Sequence, residues 1–245
     1  MMKKLSRLIW IDLKRLFQVR IVHLIFVLSF LLGMAMAFFP QIDPSNLFYL
    51  AVFILPVIVF SISMFIEKEE ILDNPPICCN KKDASIMVFS KILSSLLLML
   101  LPILFFELVL VSALNRQISY GLLLLAYLVG ATLHILVGLF IAMASKTGKI
   151  LAISYIVYIL VFSLTPVLYG NGIIPLSFQY VMLISPAYIS GVLIDNILFG
   201  QWYSPVWLLI FSSVIQFVYI FVLIRFAIIP HFCKYMIAVH IEDEE

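Results

Sequence analysis

Long apolar runs separated by short polar stretches set the pattern of this chain. The runs occupy approximately 21–39, 47–66, 88–114, 121–144, 150–169 and 205–229. Each is close to the roughly 20 residues that a helix needs to cross a bilayer. In hydrocarbon a backbone must satisfy its own hydrogen bonds, so all six are expected to be helices. Pro56 and Pro102 fall inside the second and third and are expected to kink them. Residues 1–20 read differently. Lys3, Lys4, Arg7, Lys14 and Arg15 interrupt Leu5, Leu8, Ile9, Leu13, Leu16 and Phe17, whose spacing of three and four predicts an amphipathic helix. Such a helix lies in the membrane interface, with its basic face toward anionic headgroups and Trp10 at headgroup level.

The region 165–204 is neither a plain span nor a polar loop. Pro166, Gly170, Asn171, Gly172 and Pro175 break the chain, and an apolar run from Phe178 to Leu198 follows before Gly200. A further full crossing here would place Arg225 and Lys234 on the wrong side of the membrane. The expectation is a pair of re-entrant or interfacial helices broken near Ser185-Pro186 and shielded by protein. The predicted architecture is an all-α integral membrane protein, with an N-terminal amphipathic helix (1–20) and a transmembrane region (21–235). That region holds six spans, with the re-entrant segment between the fifth and sixth. Residues 236–245 form an acidic cytoplasmic tail.

Composition agrees with the pattern. The 245 residues are 64% hydrophobic and 11% charged, and mean hydropathy is +1.19, whereas soluble domains are about half apolar and about a quarter charged. Charge then orients the chain. With the N-terminus inside, every lysine and arginine except Arg116 falls in a cytoplasmic segment, so the topology is read as N-in and C-in. Cys78, Cys79 and Cys233 lie on that side, where thiols stay reduced, and their spacing matches no zinc pattern. No metal site is expected.

Two polar residues within the spans are candidate sites. Glu107 lies in the outer part of the third span. It is either an intramembrane functional carboxylate or a wetted one close to Asn115 and Arg116. His134 lies midway along the fourth span, on a face that carries Ala126, Gly130, Gly138 and Ala142 at steps of four. A stripe of small residues lets a neighbouring helix approach closely, and His134 is read as a hydrogen-bonding element of that contact rather than a proton relay. A rise of 1.5 Å per residue separates Glu107 and His134 in depth by roughly 9 Å, which argues against a direct pair.

Catalytic motifs fail on inspection. Gly148-Lys149 lacks both the preceding glycine and the following Ser/Thr of a phosphate-binding loop. Glu69-Glu70 lacks the following arginine and the histidine-bearing helices of intramembrane prenyl-endopeptidases, and there is no His-Glu-x-x-His or serine-nucleophile motif. The chain is not expected to be an enzyme.

The longest polar interruption, Glu67 to Lys91, carries the most specific pattern. Glu67-Lys68-Glu69-Glu70-Ile71-Leu72-Asp73 follows the second span, and Ser90-Lys91-Ile92-Leu93 opens the third. In that order and topology they resemble the loop of ABC-2-type transporter permeases, within which the chain looks most like the bacterial fluoroquinolone-export subgroup. Ile173-Ile174-Pro175 through Leu183-Ile184-Ser185-Pro186 is similar to the family's external segment before the last helix. The glycine expected between Glu70 and Ile71 is missing, and Asn74-Pro75-Pro76-Ile77-Cys78-Cys79 replaces the usual continuation.

The resemblance implies a permease subunit of an ATP-driven exporter in the bacterial cell membrane, moving an amphiphilic small molecule, drug, lipid or peptide outward. It would bind no cofactor itself, since ATP and Mg²⁺ would sit on two copies of a separate ATPase. A second permease chain would complete the pore, membrane lipid would surround it, and nucleic acid has no part. The loop 67–91, through Glu67, Lys68, Glu69, Glu70, Leu72, Asp73 and Lys91, would dock the ATPase. The competing readings are a non-transporting immunity or sensor subunit on the same scaffold and an intramembrane hydrolase.

Overall fold

The computed structural model describes residues 2–18, 81–114, 119–170, 172–199 and 205–232, together with isolated helical positions between 23 and 38. Among the described residues every regular element is helical. Helix α1 spans Met2–Gln18, α2 Lys81–Leu114 and α3 Tyr120–Ala144. Helix α4 spans Gly148–Gly170, and the short α5, Leu176–Met182, opens with a 3₁₀ turn. Helix α6 spans Pro186–Phe199 and α7 spans Val206–Phe232.

Three of these are long and apolar enough to cross a membrane: α3, α4 and α7. The number is four if the α5–α6 pair, bent by 111° at its break, counts as one span. Helix α2 continues through Pro102 without interruption. The expected span 47–66, nearly all of 21–39 and the tail 236–245 lie outside the described residues.

The ends of the helices follow local chemistry. Ser145 closes α3, its hydroxyl donating to Ile141 O at 2.7 Å. Two residues later Thr147 begins α4, its hydroxyl accepting the Ile150 N–H at 3.3 Å. Helix α4 ends with the Ile173 N–H on Leu168 O and the Gly172 N–H on Tyr169 O, both at 3.0 Å. That paired closure needs a left-handed residue, and Gly172 supplies it with φ of 72°.

Helix α3 is the central post. It packs against α2, α4, α6 and α7. Of its most apolar stretch 61% is buried, against 24% for α4 and 17% for α7, which places the latter two at the periphery. Leu123, Tyr127, Ala131, Ile135, Leu136 and Leu139 join Val88, Ile92 and Met99 of α2 and Ala187, Ile194 and Leu198 of α6 in the main core. A second cluster gathers Leu133, Met182, Leu183, Tyr188, Ile189, Val192 and Leu208 around the α5–α6 break.

The peripheral helices turn large apolar side chains outward, including Ile153, Ile156, Val157, Leu160 and Val161 of α4. Helix α7 does the same with Ile210, Phe211, Val214, Phe217, Val218 and Phe221. Continuous apolar surface on this scale is compatible with a multi-pass membrane protein and not with a water-facing one.

Candidate functional site

The most constrained polar site joins α1 to α2. Asp12 is the sole acid of α1 and lies on the same face as Leu5, Leu8, Ile9 and Leu16. Its carboxylate is buried, with both oxygens engaged. Ser90 Oγ donates to Oδ2 at 2.5 Å, and Lys91 Nζ forms an ion pair with Oδ1. The side chains of Asp12 and Lys91 are each only 7% exposed. Around them Leu16, Val88 and Ile92 are buried. A desolvated pair of this kind persists because each charge holds the other and the second carboxylate oxygen has its own donor. Its effect is positional: it pins α1 onto the first turns of α2.

Lys91, expected in the docking loop, lies within α2 with its ammonium engaged by Asp12. Residues 81–91 are already helical, and the Lys91 ammonium points inward because Asp12, 79 residues earlier, provides the counter-charge. The other residues of the expected docking loop, Glu67, Lys68, Glu69, Glu70, Leu72 and Asp73, lie outside the described residues. The side chain of Glu107 does too, although its backbone belongs to α2.

His134 is fully buried on α3. A hydrogen bond of 2.7 Å joins its Nδ1 to the hydroxyl of Tyr158 on α4, and the two rings meet edge to face at 74°. Ala126, Gly130, Gly138 and Ala142 are all buried along the same helix. Burial runs round most of α3, so the stripe is one part of a larger buried surface.

The α5–α6 break is the third polar feature. Ser185 caps α6, its hydroxyl accepting the Tyr188 N–H at 3.2 Å, with Pro186 in the first helical position that suits its missing N–H. The same hydroxyl donates to Phe162 O at 2.5 Å. Phe162 lies in a widened π-type turn of α4, Ile159–Leu164, where Thr165 Oγ1 also reaches back to Leu160 O at 3.2 Å. From the other side, the Tyr219 hydroxyl of α7 donates to Ile184 O at 3.2 Å. Backbone groups freed at such a break are served by these partners. Nearby, Gln216 of α7 donates from Nε2 to Ser190 Oγ of α6 at 2.9 Å, both residues being fully buried.

Sequence reasoning placed the break near Ser185-Pro186 and singled out His134, but it passed over Asp12, Tyr158 and Gln216. Asp12 carried a usable signal, as a single acid on the apolar face of an otherwise basic helix. Tyr158 carried none, since tyrosine is common in this chain.

Together these features define an all-helical protein whose long apolar helices suit a membrane, with its polar groups concentrated at helix junctions. Comparison with family models, curated proteins and solved structures gave no match.

Proposed function

We propose that the chain is the permease subunit of an ABC-2-type exporter, with six spans, N-in and C-in, in a bacterial cell membrane. It would move an amphiphilic cargo outward under the drive of a separate ATPase. The observation that supports this best is the Asp12–Ser90–Lys91 junction. The Ser-Lys pair that closes the charged stretch in the sequence is the pair that anchors the amphipathic helix. A displacement of that stretch would then move α1 and the start of α2 as one body, the coupling that an engine outside the membrane requires. The sharp bend between α5 and α6, placed before the last long helix, fits the same reading.

The test is purification of the chain from its native membrane, followed by a transport assay. An ATPase should accompany it, and Glu67→Gln with Glu69→Gln should lower ATP-driven export by about tenfold or more, roughly the effect of 1.4 kcal/mol in coupling. A complex without an ATPase, together with undiminished export by the double variant, would end the proposal.

A further inference from the structure

A cleft of about 560 Å³ opens between α3, α6 and α7. Its size falls in the range of small-molecule sites, roughly 300–1,000 Å³. Leu122, Leu125 and Val129 of α3, Leu193 of α6, and Leu209 and Phe217 of α7 supply its apolar walls. From Leu122 to Val129 the wall is about 10 Å long at 1.5 Å per residue.

No charged residue lines the cleft, but four polar ones do: Ser119, Asn196, Ser213 and Gln216. Ser119 stands at the exposed lip and begins α3 without using its side chain to cap it. Ser213 and Asn196 direct their donors to the helix carbonyls of Leu209 and Val192. Gln216 differs. Its Nε2 is committed to Ser190, while its Oε1 is buried with no hydrogen-bond partner. An orphaned carbonyl oxygen costs about 1–3 kcal/mol, and a group kept at that cost calls for an explanation such as a bound donor.

We infer that this cleft binds an uncharged amphiphile, a hydrocarbon chain bearing a hydroxyl or amide N–H, whose donor bonds to Gln216 Oε1. The absence of charge from the walls selects against ionised headgroups, which would be desolvated without a partner. The cleft lies among helices whose outer faces, at Leu122, Leu125, Val214 and Phe217, are apolar and exposed, so the chain enters from the side. The Gln216 carboxamide packs into the wall. Gln216 is fully buried, so the ligand engages Oε1 as the carboxamide rotates toward the cleft, and the new bond replaces the one from Nε2 to Ser190. This reading is independent of the coupled ATPase, because binding is measured on the chain alone.

The experiment uses the full chain in nanodiscs and an N-dodecanoyl ethanolamide with a chain-terminal photoreactive diazirine, with methyl dodecanoate as the competitor that lacks a donor. The ethanolamide should label residues on α3, α6 and α7 and bind about tenfold tighter than the methyl ester, the difference one neutral hydrogen bond can make. Gln216→Leu should erase that preference while leaving thermal unfolding close to wild type. Val129→Trp and, separately, Leu193→Trp should each fill the cleft and abolish labelling. Equal affinity for the two amphiphiles in the wild type would overturn the inference, since any acyl chain would then do. Labelling that survives whichever Trp variants fold would overturn it as well, as the sign of annular lipid.

Discussion

Asp12→Ala would leave the Lys91 ammonium buried without its counter-charge, and breaking such a pair from one side costs about 3–5 kcal/mol. The pair can be removed as a unit at far lower cost. Asp12→Leu combined with Lys91→Met should recover most of the loss, because replacing both charges by apolar groups of similar volume is often close to neutral. Thermal unfolding of Asp12→Leu, Lys91→Met and their combination in a mutant cycle checks this, and additive losses would contradict it. At Ser185 one hydroxyl serves two elements. Ser185→Ala should cost about 1–3 kcal/mol and raise hydrogen exchange in 159–164 and at the start of α6, whereas Ser185→Thr should retain most of the protection. Tyr158→Phe removes only the bond to His134. Interhelical bonds within membranes average about 0.6 kcal/mol with a maximum of about 1.7, so a small loss is expected by reversible unfolding in detergent. A loss far above that would point to a role for His134 beyond packing.

Helix α1 divides its residues between two partners. Asp12 and Leu16 are buried against the protein, and Leu5, Leu8, Ile9 and Leu13 are half-buried. The outward arc presents Arg7, Trp10, Ile11, Lys14 and Phe17, with Trp10 70% and Phe17 48% exposed. Two aromatics beside two cations suit a headgroup layer. With Trp202 and Trp207 replaced by Phe, Trp10 fluorescence should be quenched more strongly by shallow brominated lipid than by deep. Arg7→Gln with Lys14→Gln should weaken the preference for anionic lipid by about tenfold or more, on roughly 1 kcal/mol per basic residue. Uniform quenching at every depth would contradict an interfacial position. Much of this element was legible beforehand, since a three-and-four spacing survives any tertiary context. The face that meets α2 was harder to foresee, because the lone acid on it gains meaning only from a lysine far along the chain.

For the whole molecule, orientation makes the sharpest prediction. In a background lacking Cys78, Cys79 and Cys233, single cysteines at exposed positions Lys146, Ile173 and Val206 report which side each occupies. If α5 and α6 turn back, positions 173 and 206 should both react with an impermeant thiol reagent in intact cells, and position 146 only after permeabilisation. Reaction at 173 but not 206 would make the bent pair a full crossing. The three long helices coincide closely with the apolar runs 121–144, 150–169 and 205–229, because length and hydropathy alone decide whether a helix suits a bilayer.

What the sequence determined by itself is therefore local: where helices start, which of them are apolar throughout, and where proline and glycine interrupt them. These depend on neighbours within a few residues. Only the tertiary structure decided that α3 is the central post, that Asp12 finds Lys91, and that Ser185 serves the widened turn of α4. It also left Gln216 Oε1 without a partner beside a cleft. Each depends on groups brought together across tens of residues. An apolar helix reads alike whether it faces lipid or protein, so no periodicity could have announced them.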